Sequence, residues 1–445
     1  MPLTKSKIKK SRIDWFFLGA IIILLTIGTI SIISSVVALP NQARIVRTHL
    51  LSLPIAFTVF LIVWNFNYQV FQDQWKIVYS AMIIALTAVL FFGIADRGAQ
   101  SWFRVPFFSV QPSEFARIGL ILVMANYLDK SIAKIKEFST VLIALLISAP
   151  IFFLIIKQPD FSAIMTMLPI VLIMLFCAGA RLFHIFVIMG FAFTTAVLPI
   201  LWTMIDLNPE LMQNSLINLF YSLSQFNWYL LAVLAILIVG SYLLWFVFSQ
   251  FYRNISKLYF VGLALVIAFG LFSGIVVKKQ LKYYQQKRLE VFLSPHTDPK
   301  GAGYNLIQAQ VAIGSGGLMG KGVFSGTQAK FGFVPERHTD FILAVIGEEM
   351  GFMGFMLVMG LYIFLMGRIV STAYVARDRF GYLVNCGIFG MFMVYFSVNF
   401  GMLLGLNPVA GVPLPLLSYG GSNLVSTMIA IGITQSIYSR RYALT

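Results

Sequence analysis

The chain has 445 residues, of which 59% are hydrophobic and only 11% charged, too little polar surface to keep a globule of that size in solution. Its formal charge of +16 sits in short stretches between apolar runs, which favours anionic headgroups or anionic lipid-linked substrates as partners and argues against nucleic acid. Two cysteines, Cys177 and Cys386, each within an apolar run, exclude a disulfide framework and a cysteine-based metal site. The composition describes an all-α polytopic membrane protein, expected to form one domain over 1–445 in which helices pack on one another within lipid.

The basic stretch KSKIKKSR precedes an apolar run from Trp15 to Leu39. That run is too long for a signal-peptide core and is read as an uncleaved first span. Runs long enough to cross the hydrocarbon follow near 49–67, 77–94, 112–128, 138–156, 161–179, 182–204, 228–250, 256–277, 341–367, 381–404 and 412–437. Together with the first they make twelve, and an even number leaves both termini on one side. Lys130, Lys134, Lys136, Arg253, Lys257, Arg368, Arg377, Arg379, Arg440 and Arg441 then share that side, which the positive-inside rule makes the cytoplasm.

Polar residues in or beside spans are costly unless paired or functional. In QPSEFARI (111–118), Pro112 suits a first helical position, and Glu114 and Arg117 fall on one face at i and i+3. They read either as a structural ion pair or as part of a site. In KQPDFSA (157–163), Lys157 and Asp160 lie between two spans at their outer end; Asp160 reads as a helix cap or as a functional carboxylate. Glu348 and Glu349 stand just inside the tenth span, suited to a helix interface or to a polar cavity.

The longest stretch that no spanning pattern explains is 278–340. It falls outside by the span count, with nine Lys or Arg against four Asp or Glu. Its start, KKQLKYYQQKRLEVFL, sets Leu281, Tyr284, Arg288, Leu289 and Phe292 at helical spacing, as an amphipathic continuation of the ninth span near the headgroups. SGGLMGKG imitates a phosphate-binding nucleotide loop, but Ser315 replaces the required Gly and Gly322 the magnesium-holding Ser or Thr. His49, His184, His296 and His338 lack paired ligand spacing, so a built-in zinc site is not expected; His338 reads as a loop hydrogen-bonding residue. Among Glu290, Asp298, Glu336 and Asp340, Asp298 stands in HTDPKGAGYN, where Asp-Pro followed by Gly-x-Gly makes a turn. It could serve as a general base or simply as a turn residue. Lys300, Lys321, Lys330 and Arg337 could balance a phosphate or bind headgroups. The last polar island, NPVAGVPLPLLSYGGS (407–422), carries three prolines and predicts irregular backbone, either a re-entrant turn or a cavity lining.

Taken together, QPSEFARI (111–118), KQPDFSA (157–163), RLEVFLSPHTDPKGAGYN (288–305), AIGSGGLMGKG (312–322), GTQAKFGFVPERHTDFILAVIGEEMGFMG (326–354) and NPVAGVPLPLLSYGGS (407–422) resemble the SEDS family of peptidoglycan polymerases. GTQ before PERHTDF, and GYN, favour its RodA branch over FtsW. The resemblance implies glycosyl transfer on lipid II at the outer face of the bacterial cytoplasmic (inner) membrane, serving cell elongation, with a class B penicillin-binding protein as partner. It makes Asp298 the proposed base. It implies a substrate-binding set around a central cavity, expected here as Glu114, Arg117, Lys157, Asp160, Lys321, Glu336, His338 and Ser418. A divalent cation, Mg or Mn, is a possible companion of the substrate pyrophosphate. The alternatives are a lipid II flippase and a non-catalytic scaffold of the wall-synthesis complex.

The chain departs from the family pattern at Arg117, where Lys is usual, at Ser101, where Arg is usual, and at Ser162, where Gly is usual; Arg104 is a possible substitute for the missing arginine. The family usually has ten spans. The expectation is therefore a ten-helix core plus a pair of spans inserted within 205–280, and a large extracytoplasmic catalytic loop at 278–340.

Overall fold

A computed structural model describes residues 13–96, 99–104, 109–251, 257–280, 286, 290–293, 302–327 and 336–442. Asp298, Lys300, Lys330 and most of the expected amphipathic helix lie outside the described residues. The chain divides into two compact units, residues 1–179 with 305–445, and residues 180–304. The expected insertion at 205–280 falls inside the second unit, which also takes in the helix before it.

The first unit holds α1 (Trp15–Val36), α2 (Gln42–Asn65), α3 (Gln69–Asp73), α4 (Trp75–Phe92), α5 (Pro112–Lys130), α6 (Phe138–Lys157) and α7 (Phe161–Ala178). After the second unit come α12 (Ala302–Ser315), whose residues from Asn305 onward belong to the first unit, α13 (Ile342–Tyr374), α14 (Arg379–Leu403) and α15 (Gly421–Arg440). The second unit contains α8 (Leu182–Leu207), α9 (Ser215–Ser222), α10 (Trp228–Phe251) and α11 (Lys257–Gln280). Twelve of these helices run for 18 residues or more, matching the twelve expected spans. Nine of the twelve are apolar and long enough to cross a membrane by length and composition. The other three are α5, α7 and α15. Helices α5 and α15 are buried on nearly every face, so their polar side chains find protein partners in place of lipid; α7 is apolar but short.

Helix α14 is the other buried axis of the first unit. Its Gly387 lies so close to α5 and α7 that an added Cβ would come 2.5 Å from Ile121 and 2.9 Å from the Met174 sulfur. Small residues let helices approach closely where no hydrophobic effect drives them together. At one end, Arg368 pairs with Asp14, joining α13 to the start of α1. There Asp378 caps α14 and accepts from Tyr68 at 2.8 Å and Gln69 at 2.9 Å. The second unit has its own core, in which Trp202 of α8 is fully buried with Leu223, Leu230, Leu271 and Ile275. Lys278 pairs with Asp206 at 2.9 Å, and the Tyr221 hydroxyl donates to the same carboxylate. That bond, burial and the adjacent negative charge push the Tyr221 pKa up to about 12.

Three expectations change. The last span does not begin at 412: α15 starts only at Gly421, because the prolines of the preceding island remove helix donors. Helix α2 starts earlier than expected, at Gln42. Between α4 and α5 the chain forms a small antiparallel sheet, β1 (Ile94–Asp96), β2 (Ala99–Arg104) and β3 (Ser109–Val110), in the order β1-β2-β3, which the all-helical reading did not foresee. Ser101 and Arg104 project to opposite faces of β2, Ser101 buried and Arg104 exposed, so Arg104 does not take the place of an arginine at 101.

Candidate active site

Helices α5, α7, α13 and α15 begin, and α1 and α14 end, at the same end of the first unit, opposite the Arg368–Asp14 pair. Three polar clusters gather there. The first starts at α5, whose Pro112 takes the first helical position, where a missing N–H costs nothing. The Gln111 N–H donates instead to Ser422 Oγ at 3.0 Å, and that hydroxyl donates to the Ser109 carbonyl at 2.7 Å, tying the start of α15 to β3.

One turn into α5, Glu114 and Arg117 are 6% and 3% exposed and form an ion pair with Nη1 to Oε2 at 2.8 Å. The Tyr395 hydroxyl of α14 and the Asn423 and Ser426 side chains of α15 approach the same carboxylate at 3.4 to 3.5 Å, the long limit of hydrogen bonding. The Arg117 guanidinium lies 4.5 Å from the Tyr395 ring centre, in cation–π geometry. One buried pair therefore joins three helices, and a charge in apolar surroundings persists only with such partners.

Asp160 caps α7. Its Oδ1 accepts from the Ala163 N–H and the Ser162 hydroxyl, its Oδ2 from Gln111 Nε2 at 2.8 Å and Ser113 Oγ at 3.2 Å. The cap reading holds, and the carboxylate is also near enough to act electrostatically on Arg117. Ser162, the departure from the usual Gly, supplies one of the four donors. Lys157 is exposed at the end of α6, its ammonium 5.5 Å from the Phe153 ring centre, with no ion pair or hydrogen bond among the described residues.

The second cluster is ERHTD (336–340) with the proline island. Glu336 has φ of 53° and its carboxylate accepts from Thr339 Oγ1 at 3.2 Å. Arg337 is buried, donates from Nε to the Ser35 carbonyl at the end of α1, and has its pKa lowered by burial. The His338 carbonyl accepts from the Tyr419 N–H at 2.8 Å and the two rings stand 5.4 Å apart. Asn399 of α14 donates both to the Asp340 carbonyl at 3.0 Å and to the Val412 carbonyl at 2.8 Å. Ser418 is buried, and its hydroxyl accepts from the Leu414 N–H at 2.8 Å. The island is thus an irregular, hydrogen-bonded turn that runs directly into Ser422, Asn423 and Ser426 of the first cluster.

The third cluster holds Lys321. Its ammonium, on a side chain that is 29% exposed, pairs with Glu348 at 2.9 Å and donates to Thr327 Oγ1 at 2.9 Å, and Thr327 donates to the same Glu348 oxygen at 3.0 Å. Glu349 accepts from Ser34 of α1, next to the Ser35 that holds Arg337. The eight-residue imitation of a nucleotide loop, SGGLMGKG, serves the same junction. Helix α13 is broken at Gly351, with φ of 66° and ψ of −164°. The Phe352 and Met353 N–H groups, which an unbroken helix would send to residues 348 and 349, donate to the Gly317 and Leu318 carbonyls, while the freed carbonyls accept from Lys321 and Gly322. Gly320 sits at φ of 80° with the space for a Cβ filled by the Glu349 carbonyl at 2.2 Å.

Of the expected binding set, Glu114, Arg117 and Asp160 come together, Glu336, His338 and Ser418 lie in the adjoining cluster, and Lys321 in the third. Sequence reading missed Tyr395, Asn399, Asn423 and Ser426. Each is a polar group in an apolar helix, the same signal that singled out Glu348. No group of three or more His, Cys, Asp or Glu that could hold a metal ion occurs among the described residues. Those residues do not by themselves make a divalent-cation site.

The model of the FtsW/RodA/SpoVE cell cycle proteins matches residues 11–222 and 232–443. Treponema pallidum (strain Nichols) has a relative named peptidoglycan glycosyltransferase RodA, 34% identical over 444 residues that cover 97% of this chain and 98% of that protein. A second, the peptidoglycan glycosyltransferase MrdB of Escherichia coli (strain K12), is 32% identical over 379 residues, 85% of this chain and 81% of the relative. Among solved structures, a chain from work on the coordination of polymerization and crosslinking by a peptidoglycan synthase complex superposes with a TM-score of 0.66 at 23% identity, covering 97% of this chain and 99% of that one. At that identity the likeness establishes the fold.

Proposed function

The chain belongs to the FtsW/RodA/SpoVE family, and from that premise we propose that it is a peptidoglycan glycosyltransferase that polymerises lipid II during cell elongation. The observation that carries the reading is the match, over 97% of this chain, to a relative named for that activity. The geometry supports it in one respect: charged residues are buried at the end of the first unit where α13 begins, directly after the 278–340 stretch in sequence. By the positive-inside rule that end is the outer face of the cytoplasmic membrane, and both termini are cytoplasmic. The partner we propose is a class B penicillin-binding protein.

In the proposed reaction the acceptor sugar's hydroxyl oxygen attacks the anomeric carbon of the donor, the bond from that carbon to the pyrophosphate oxygen breaks, and the lipid pyrophosphate leaves. The hydroxyl proton passes to Asp298, which lies outside the described residues. Of the three cations in the binding set, Arg117 pairs with Glu114 and Lys321 with Glu348, and Lys157, which has no ion pair among the described residues, is the one assigned to meet the pyrophosphate. Fixed donors aimed at a developing charge are worth most where water is excluded. A divalent cation would enter with the substrate phosphates and help to balance their charge. The test is to supply purified lipid II to the purified protein with its partner transpeptidase and resolve the glycan products by gel. Oligomers are expected. Absence of oligomers under conditions where the partner is folded would overturn the reading.

A further inference from the structure

The Lys321 cluster does more than the fold requires. Four backbone hydrogen bonds already join the segment at 317–322 to the break in α13. Beside them stands a carboxylate with no exposed side-chain surface, Glu348, neutralised by a lysine that is 29% exposed. Replacing such a pair with apolar groups often costs nothing in stability, whereas removing one partner is expensive. Its presence calls for a role other than cohesion.

The pair lies at the base of a lever. Helix α12 begins four residues after Asp298 in the sequence and runs to Ser315, directly into the latched segment. Its Ile313 packs on Gly347, one residue before Glu348, and Gln310 donates to the Leu403 carbonyl at the end of α14. Behind it, Gly316 passes so close to the Gly347 carbonyl that it has no room for a side chain, and Gly326 packs against the Glu348 and Glu349 side chains. Phe324 and Gly326 donate their N–H groups to Glu349.

We propose that Lys321, Thr327 and Glu348 are positioning residues for glycosyl transfer, a buried charge latch that fixes the C-terminal end of α12 against α13. The proposal rests on the glycosyltransferase reading. Displacement of a reacting group by about 1 Å costs roughly a hundredfold in rate. Lys321→Met and Glu348→Gln should therefore each lower kcat roughly ten- to a hundredfold while KM for lipid II stays within about twofold. Lys321→Arg, which keeps the charge, should retain most of the turnover.

Because either single change strands a buried polar group, the double variant Lys321→Met/Glu348→Gln is decisive. It should regain thermal stability yet keep the low kcat. Recovery of turnover along with stability would overturn the proposal and make the pair cohesive only. A raised KM in Lys321→Met with normal kinetics in Glu348→Gln would also overturn it, in favour of direct substrate contact by the lysine. To separate this from the enzymatic reading, spin labels at the exposed Val323 and Leu404, with Cys177 and Cys386 replaced by alanine, report the segment's place without activity. A wild-type protein that makes no polymer defeats the glycosyltransferase reading. A distance distribution that broadens in Lys321→Met supports the latch in either case, and an unchanged distribution overturns it.

Discussion

Glu114 and Arg117 show how much one pair can be asked to hold. Their side chains are 8% and 4% exposed and their partners come from α14 and α15. Arg117→Met leaves a carboxylate buried without its counter-charge, and a loss of about 3–5 kcal/mol is expected. Glu114→Gln with Arg117→Met should cost less than the sum of the two single changes, because neither charge is then stranded. Thermal unfolding in detergent, followed by size-exclusion recovery, measures both. The pair itself was legible: a Glu and an Arg three apart, after a Pro, in an apolar run. Tyr395, Asn423 and Ser426 were not, since only folding brings residues about 300 positions away in sequence beside Glu114. Lys321 was read as a cation for a phosphate or a headgroup, and its pairing with Glu348 was not legible for the same reason, because that partner lies 27 residues on, beyond a stretch that spacing cannot fold.

At the scale of elements, the break in α13 depends on two glycines that face each other. Gly351→Ala would hold a Cβ at φ of 66° and 2.3 Å from the Gly320 nitrogen. We expect it to cost about 1–3 kcal/mol and to speed hydrogen exchange at the Phe352 and Met353 amides, whose acceptors are on the displaced segment. In the second unit Trp202→Ala should cost about 3–5 kcal/mol, seen as protease cleavage within 180–304 before cleavage of the remainder. Twelve long helices could be counted from apolar runs alone, because a bilayer's thickness sets their length. The start of α15 could not be placed, since 407–420 is apolar enough to pass as span and only its prolines object. The short strands of 94–110 escaped because two- to six-residue strands carry too few residues for a period.

Across the whole molecule, the buried charges of α5, α7 and α13 gather at one end of the first unit, the end at which α13 follows the 278–340 stretch in sequence. A flippase needs its polar residues to line a path through the membrane; here Glu114, Arg117 and Asp160 are buried and partnered by neighbouring helices near one end of the first unit. The central claim is that this end polymerises lipid II with Asp298 as the base. The most direct measurement compares wild type and Asp298→Asn, each purified with the partner transpeptidase, for glycan made from lipid II at equal folded protein. The account predicts polymer from wild type and a loss of at least about a hundredfold in the variant. Equal polymer from both would contradict it.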